Sequence, residues 1–160
     1  MSTTVMQGAA AADAAAPPRN RMAVALLALA GVFVSAYLVL YRVGVLGTLA
    51  CGVSGGCETV QASKWALFLG VPVAVWGLLG YGALFLLAFA GVQPRFVASR
   101  RVAGALLALA TGAFAFSIYL SALEAWVIHA WCRWCIASAV IATLLFLAAL
   151  PEVRRLRRPG

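Results

Sequence analysis

A chain of 160 residues is enough for one domain. Hydrophobic residues make up 65% of it and charged residues 10%, against about 45–50% and about 25% in soluble domains. Too few charges exist to coat a soluble globule, so the composition argues against a soluble enzyme. The net charge of +8 would point to nucleic acid in a soluble protein, but here its placement makes it a topology signal.

The first segment, residues 1–21, is Ala-rich and of low complexity, and it is expected to be a disordered cytoplasmic tail. A cleaved signal peptide is disfavoured, because the apolar run that follows Arg19 and Arg21 is too long for one. Four long uncharged stretches come next, residues 22–41, 65–92, 102–123 and 134–151. About 20 apolar residues cross the hydrocarbon core of a bilayer. Gly70 and Pro72 near the start of the second stretch predict an angled entry or a kink. Spanning strands are excluded, because open sheet edges cannot lie in lipid. The fold class is therefore an all-α integral membrane protein. Its membrane domain, residues 22–151, is a four-transmembrane-helix bundle with a cysteine-bearing outer loop between spans one and two. Residues 152–160 are read as a basic tail.

Orientation follows from the cations. An even number of crossings puts Arg19, Arg21, Arg95, Arg100, Arg101, Arg154, Arg155, Arg157 and Arg158 on one side, nine in all. Arg42, Lys64 and Arg133, three in all, fall on the other. The positive-inside rule places both termini in the cytoplasm of a cell (inner) membrane. The basic ends touch at most anionic lipid, and no nucleic acid is expected.

All four cysteines then lie at the outer face, where an oxidising environment favours disulfides. Cys132 and Cys135 are spaced i, i+3 at the expected start of span four. A helix N-terminus lowers a thiol's pKa, and Arg133 adds a charge. The alternatives for this pair are half of a structural zinc site or two small buried hydrophobes. Cys51 and Cys57 bracket five residues, three of them glycine, which allow the positive-φ turns of a small disulfide loop. That pair is expected on a mobile, exposed loop, and its alternative is a static staple. Together the two pairs have the layout of a relay working by thiol–disulfide exchange.

The electrons need an acceptor. No dinucleotide fingerprint follows a strand, since Gly77, Gly80 and Gly82 sit inside a span. No haem or iron–sulfur spacing exists, and the single histidine, His129, cannot supply a bis-histidine haem. No metal cofactor is expected. A membrane-soluble two-electron acceptor fits by exclusion, and quinone is the common one.

Cys51-x5-Cys57, then Ser63-Lys64-Trp65, Phe68-x-Gly70-x-Pro72 and Trp131-Cys132-x-x-Cys135 resemble the vitamin K epoxide reductase family. The resemblance is greatest to the bacterial homologues that regenerate periplasmic disulfide catalysts. It covers about residues 22–150. It implies a four-helix bundle around a quinone of the menaquinone, ubiquinone or phylloquinone type. Cys132 and Cys135 would be the active-site pair, with Cys135 facing the quinone, and Cys51 and Cys57 the shuttle pair. A thioredoxin-fold (DsbA-like) protein would attack Cys51, and Cys57 would then attack Cys132. Ser63 matches the family's loop Ser/Thr near the quinone, with helix capping as its alternative. Many bacterial members carry a fused thioredoxin-like domain. This chain ends at Gly160 without one, so a separate partner is expected. Animal members have a tyrosine where this chain has Ala139, which favours plain quinone reduction over epoxide reduction.

Trp65, Trp126, Trp131 and Trp134 belong near the outer interface, where Trp65 and Trp131 are candidate quinone walls. His129 is expected to face water, Glu124 to mark a helix's exit into water, and Glu58 to be exposed beside Cys57. Two rival functions share this topology. One is a non-catalytic membrane protein with structural disulfides, and the other a metal-trafficking protein with four thiolates.

Overall fold

The computed structural model describes residues 18–51 and 56–157. Four helices in it are long and apolar enough to cross a membrane. The first, α1 (Arg19–Arg42), leads to a short helix, α2 (Gly56–Ala62), and a tight turn, Lys64–Ala66. A minimal antiparallel hairpin follows, β1 (Leu67–Phe68) and β2 (Val71–Pro72). Then come α3 (Val73–Val92) and α4 (Arg100–Leu123), the latter prolonged by one wider turn, Glu124–Ile128. The chain ends in α5 (Arg133–Ala149) and α6 (Pro151–Arg157). The protein is a four-helix membrane bundle.

Three boundaries differ from the sequence expectation. Helix α1 begins at Arg19, so residues 19–21 are helical, and Arg21 is buried because a carboxylate meets it. The second span begins at Val73, because residues 64–72 form the turn and the hairpin. Leu69 (φ 54) and Gly70 (φ 77) supply the two left-handed residues of a tight hairpin turn. Gly70 therefore reverses the chain where a kink was expected. Pro72 sits just before the first residue of α3. At the other end, residues 151–157 form a helix where a tail was expected. Pro151 occupies its first position, where a missing N–H costs nothing.

Helix α1 packs most extensively on α3 and then on α5, while α4 packs on α5. Small residues let backbones approach in a membrane, where no hydrophobic force drives the association. Gly31 makes room for a ring in the same way, since a Cβ there would lie 2.5 Å from Cδ1 of the Tyr81 side chain. Val24, Ala28, Leu84, Ala88, Leu106 and Leu145 fill the core beside it. The side between α3 and α4 has the sparsest contact of the four.

One end of the bundle is closed by a buried ion pair. Arg21 Nη2 and Nε meet the two carboxylate oxygens of Glu152 at 2.8 and 3.0 Å. Arg21 Nη1 donates to the carbonyls of Gly91 and Phe96 at 2.7 and 3.2 Å. Asn20 Nδ2 adds a bond to Glu152 at 2.6 Å, and Arg155 Nε lies 3.6 Å away. Both charges are fully buried, and each nitrogen of the Arg21 guanidinium and each carboxylate oxygen of Glu152 has a partner. Removing one partner of such a pair costs about 3–5 kcal/mol, because the other charge stays buried and unpaired. Glu152→Ala is accordingly expected to lower the thermal midpoint in detergent sharply. The Arg21→Met, Glu152→Leu double variant should recover part of the loss. A single variant as stable as the parent would show that the pair does not hold this end together.

Candidate active site: two cysteine pairs and a buried carboxylate

The opposite end of the bundle carries all four cysteines. Two hydrogen bonds fasten the segment between α1 and α3. Arg42 Nη1 donates to the Gln61 carbonyl at 2.7 Å, and the Ala50 N–H donates to the Tyr37 hydroxyl at 2.9 Å. Cys51 and Cys57 are joined by a disulfide, with Cα atoms 6.0 Å apart. Residues 52–55, the centre of the expected mobile loop, lie outside the described residues.

The cysteines themselves are not exposed. Cys51 is 4% accessible, while Cys57 and Cys132 are both at 0%. The three share an apolar cluster with Leu38, Leu49 and Val60, so the exposed-loop expectation is corrected for the pair. The reason is visible at Gly56. Any Cβ there would clash with the Trp131 carbonyl oxygen, so α2 lies directly on the backbone just before Cys132. This glycine serves close approach, not the positive-φ turn inferred from the sequence. Tyr37 and Trp134 close the cluster with ring centroids 4.6 Å apart.

Cys132 is the N-cap of α5, and its Sγ accepts the Cys135 N–H at 3.3 Å. Its thiol is held below the ordinary cysteine value, first of all by the hydrogen bond with the Cys135 thiol. Backbone N–H groups of the first turn add to the effect, while burial and the charge of Glu124 oppose it. Arg133 is exposed, so the expected thiolate stabilisation comes from the helix end and the neighbouring thiol. Cys132 and Cys135 are both free thiols.

Glu124 was expected to face water and does not. It is 4% accessible, and its Oε2 accepts the Cys132 N–H at 3.0 Å. Its carboxyl also lies close enough to the Cys135 thiol to interact with it. The wider turn Glu124–Ile128 and the left-handed His129 (φ 55) fold the chain back, bringing residue 124 under residue 132. A lone acid in an apolar stretch eight residues before a C-x-x-C was the available sequence signal. His129 and Glu58 are exposed, as expected.

Cys135 and Glu124 both line a cavity of about 370 Å³, placed mainly between α3 and α4. Its walls include Trp65, Phe68, Trp76, Tyr81, Phe116 and Ser138. Phe68 packs edge-on to both Phe116 and Trp76, at 5.4 and 6.1 Å between centroids. Gly80 and Gly112 also line it, and a Cβ at either would meet nothing within 4 Å. The volume is within the range of small-molecule sites, and the apolar, partly aromatic walls suit a flat ring.

The four residues assigned to the quinone from sequence separate here. Trp65 lines this cavity. Ser63 does not: its Oγ donates back to the Val60 carbonyl at 2.7 Å, so it neither reaches the cavity nor caps the following turn. Trp131 and Ala139 line a different, shallower pocket of about 290 Å³ with Ile136 and Val140. Position 139 therefore carries no argument about which oxidised substrate the large cavity takes. Tyr81 and Ser138, joined at 2.7 Å between Oη and Oγ, are cavity residues that the sequence reading missed.

A family model, the vitamin K epoxide reductase family, matches residues 22–150, a stretch that holds all four cysteines and nearly all of the four spans. The match extends over most of the chain and agrees with a membrane bundle that carries a disulfide beside a free C-x-x-C pair. The chain belongs to the vitamin K epoxide reductase family, whose members are membrane thiol oxidoreductases.

Proposed function

We propose that the protein is a thiol:quinone oxidoreductase that reoxidises an extracytoplasmic thioredoxin-fold protein. One observation carries the reading: two cysteine pairs meet at Cys132, and the last thiol, Cys135, opens onto an apolar cavity. A quinone in that cavity would supply a two-electron, two-proton acceptor. The family is linked to quinones in general, and the aromatic walls and the room at Gly80 and Gly112 fit the ring.

The chain's own steps follow from the order of the thiols. A partner thiolate attacks Cys51 and frees Cys57. Cys57 attacks Cys132 in a Cys132–Cys135 disulfide and releases Cys135. The partner's second thiol closes the partner's own disulfide and frees Cys51, which then attacks Cys57 and releases Cys132. The outcome is a Cys51–Cys57 disulfide with a Cys132/Cys135 dithiol, the pairing present in this structure. Closing Cys132–Cys135 delivers the two electrons to the cavity. The lowered pKa of Cys132 makes it a good leaving thiol in the internal exchange. Burial of Cys51 and Cys57 also fits a static staple, and the assays below separate the two.

We place the cysteine end outside the cytoplasm of the cell membrane and both termini inside. Arg21 is neutralised by Glu152, but Arg95, Arg100, Arg101, Arg154 and Arg157 still outnumber the cations at the cysteine end. Reporter fusions in the 93–99 loop and at the C-terminus should both report cytoplasm. An external signal from either would overturn the orientation.

Cys132→Ala and Cys135→Ala are expected to abolish quinone reduction with every reductant. Cys51→Ala and Cys57→Ala should block electrons from a thioredoxin-fold partner. They should spare much of the activity with a small membrane-permeant dithiol. Loop variants equally dead with both reductants would reverse the order of the relay, and loop variants fully active with the protein partner would leave a staple.

Cys57→Ala is also expected to trap a mixed disulfide between Cys51 and the partner, because the resolving thiol is gone. A shifted band on non-reducing gels reports it. Trapping in Cys51→Ala instead would exchange the two roles.

A further inference from the structure

We propose that Glu124 is a catalytic residue that takes the proton of the Cys135 thiol and passes it to the acceptor in the cavity. The inference rests on the quinone-reducing function proposed above.

Three observations carry it. Glu124 is buried and reaches both residues of the active pair, accepting the Cys132 backbone N–H and lying close enough to the Cys135 thiol to interact with it. It also lines the cavity, so one carboxyl bridges the thiol that must lose a proton and the space where a proton is needed. Finally, no cation pairs with it among the described residues, since the ion pairs there belong to Glu152. Burying a carboxylate without a cation is costly. An amide or a hydroxyl would accept the Cys132 N–H without that cost, so a merely structural bond does not account for an acid here.

The chemistry needs such a group. Forming the Cys132–Cys135 disulfide removes two electrons from the pair, and a quinone gains two electrons and two protons. Cys132, whose pKa is lowered, is the thiol that gives up its proton first, ahead of the step. Cys135 enters as a thiol, in a site with apolar walls. The Glu124 carboxylate accepts the Cys135 proton as the S–S bond closes and gives it to a quinone oxygen. A second proton enters from water and replaces the one Cys132 released. Glu124 ends as the carboxylate it was, and the balance is thiolate, thiol, quinone and one proton going to disulfide and quinol. General acid–base help of this kind contributes about 10²–10⁴-fold.

The test compares Glu124→Gln with Glu124→Asp in the full-length protein, in detergent, with a soluble dithiol and a water-soluble short-chain quinone. Gln keeps the shape and the hydrogen-bond acceptor but cannot carry the proton, whereas Asp keeps the acid and shortens the reach. The proposal expects kcat for Gln to fall by about 10²–10⁴-fold, with KM for the quinone unchanged and Asp faster than Gln. A Gln variant as fast as the parent, or faster than Asp, would overturn it and leave Glu124 as a structural acceptor.

A second readout does not involve quinone. The Glu124 charge opposes the Cys132 thiolate, so Glu124→Gln should move alkylation of Cys132 to lower pH. The other ionisable groups around the pair are Tyr37 and Tyr41 on α1, Cys135, and the exposed His129 and Arg133. The Cys51–Cys57 disulfide does not titrate. An unmoved alkylation profile would mean that Glu124 is not a carboxylate there, which removes the proposal. Should the Gln variant fail to fold, Glu124→Ala takes its place, with acetate restoring kcat and acetamide not; rescue by neither overturns the proposal. If the parent protein reduces no quinone, the function proposed above falls and this role with it. If the parent is active and Gln is equally fast, only the role of Glu124 falls.

Discussion

The first turn of α5 is the point on which the site depends. A helix begins with backbone N–H groups that have no partner inside the helix, and Cys132 supplies its own sulfur as the cap for one of them. That single placement fixes three things. It points Cys132 Sγ toward the N–H groups that favour a thiolate, sets its own N–H on the Glu124 carboxylate, and leaves Cys135 one turn on, against the cavity. A serine or aspartate would cap the helix as well or better. A cysteine there couples the folding requirement of the helix to the chemistry of the thiol.

The two ends of the bundle are built on opposite principles. At one end Arg21 draws together α1, the end of α3, the following loop and α6 by bonding to Glu152, Gly91 and Phe96. Those partners are far from Arg21 in sequence, so one side chain ties several elements together at this end. At the other end the elements are short: a seven-residue helix, a three-residue turn and a hairpin of two two-residue strands. Between α3 and α4, where contact is sparsest, glycines stand in place of side chains and the cavity opens. The buried ion pair stabilises a frame within which the sparse side can remain open for a ligand.

The spans, their number and the C-x-x-C pair were legible because each rests on composition or short spacing. Twenty apolar residues need a bilayer whatever they pack against, and i, i+3 cysteines at a helix start share a face. What was not legible depends on the chain turning back. Glu124 looked like a helix end meeting water, since nothing local shows that a wider turn and a left-handed His129 will fold it under Cys132. Trp131 and Ala139 flank the active pair in sequence, but they line a separate pocket with Ile136 and Val140, away from the large cavity. Cys51 and Cys57 looked exposed because glycine-rich loops usually are. Gly56 instead allows a backbone contact with Trp131 that buries them. Residues 19–21 looked like tail because Arg21 is charged, and its partner lies 131 positions away.

The burial of the loop disulfide constrains any exchange with another protein. Attack on a disulfide needs a thiolate in line with the S–S bond, and a folded partner cannot deliver one to a cysteine that is 4% accessible. On the proposed function the segment would have to lift before a partner could react. Among the described residues, the Tyr37–Ala50 and Arg42–Gln61 hydrogen bonds and the apolar contacts around Leu49 and Val60 help to hold it down. Each such hydrogen bond is worth only about 0.5–1.5 kcal/mol net, so the cost of lifting lies mostly in exposing apolar surface. Lifting also draws Cys57 away from Cys132. In such a lifted state the outer pair would be open to a partner and cut off from the inner pair; in the seated state the outer pair is buried beside Cys132. On the proposed function, the same packing that sets Cys57 beside Cys132 keeps a folded protein's thiol from reaching the Cys132/Cys135 pair, while a small dithiol can still approach Cys135 through the cavity.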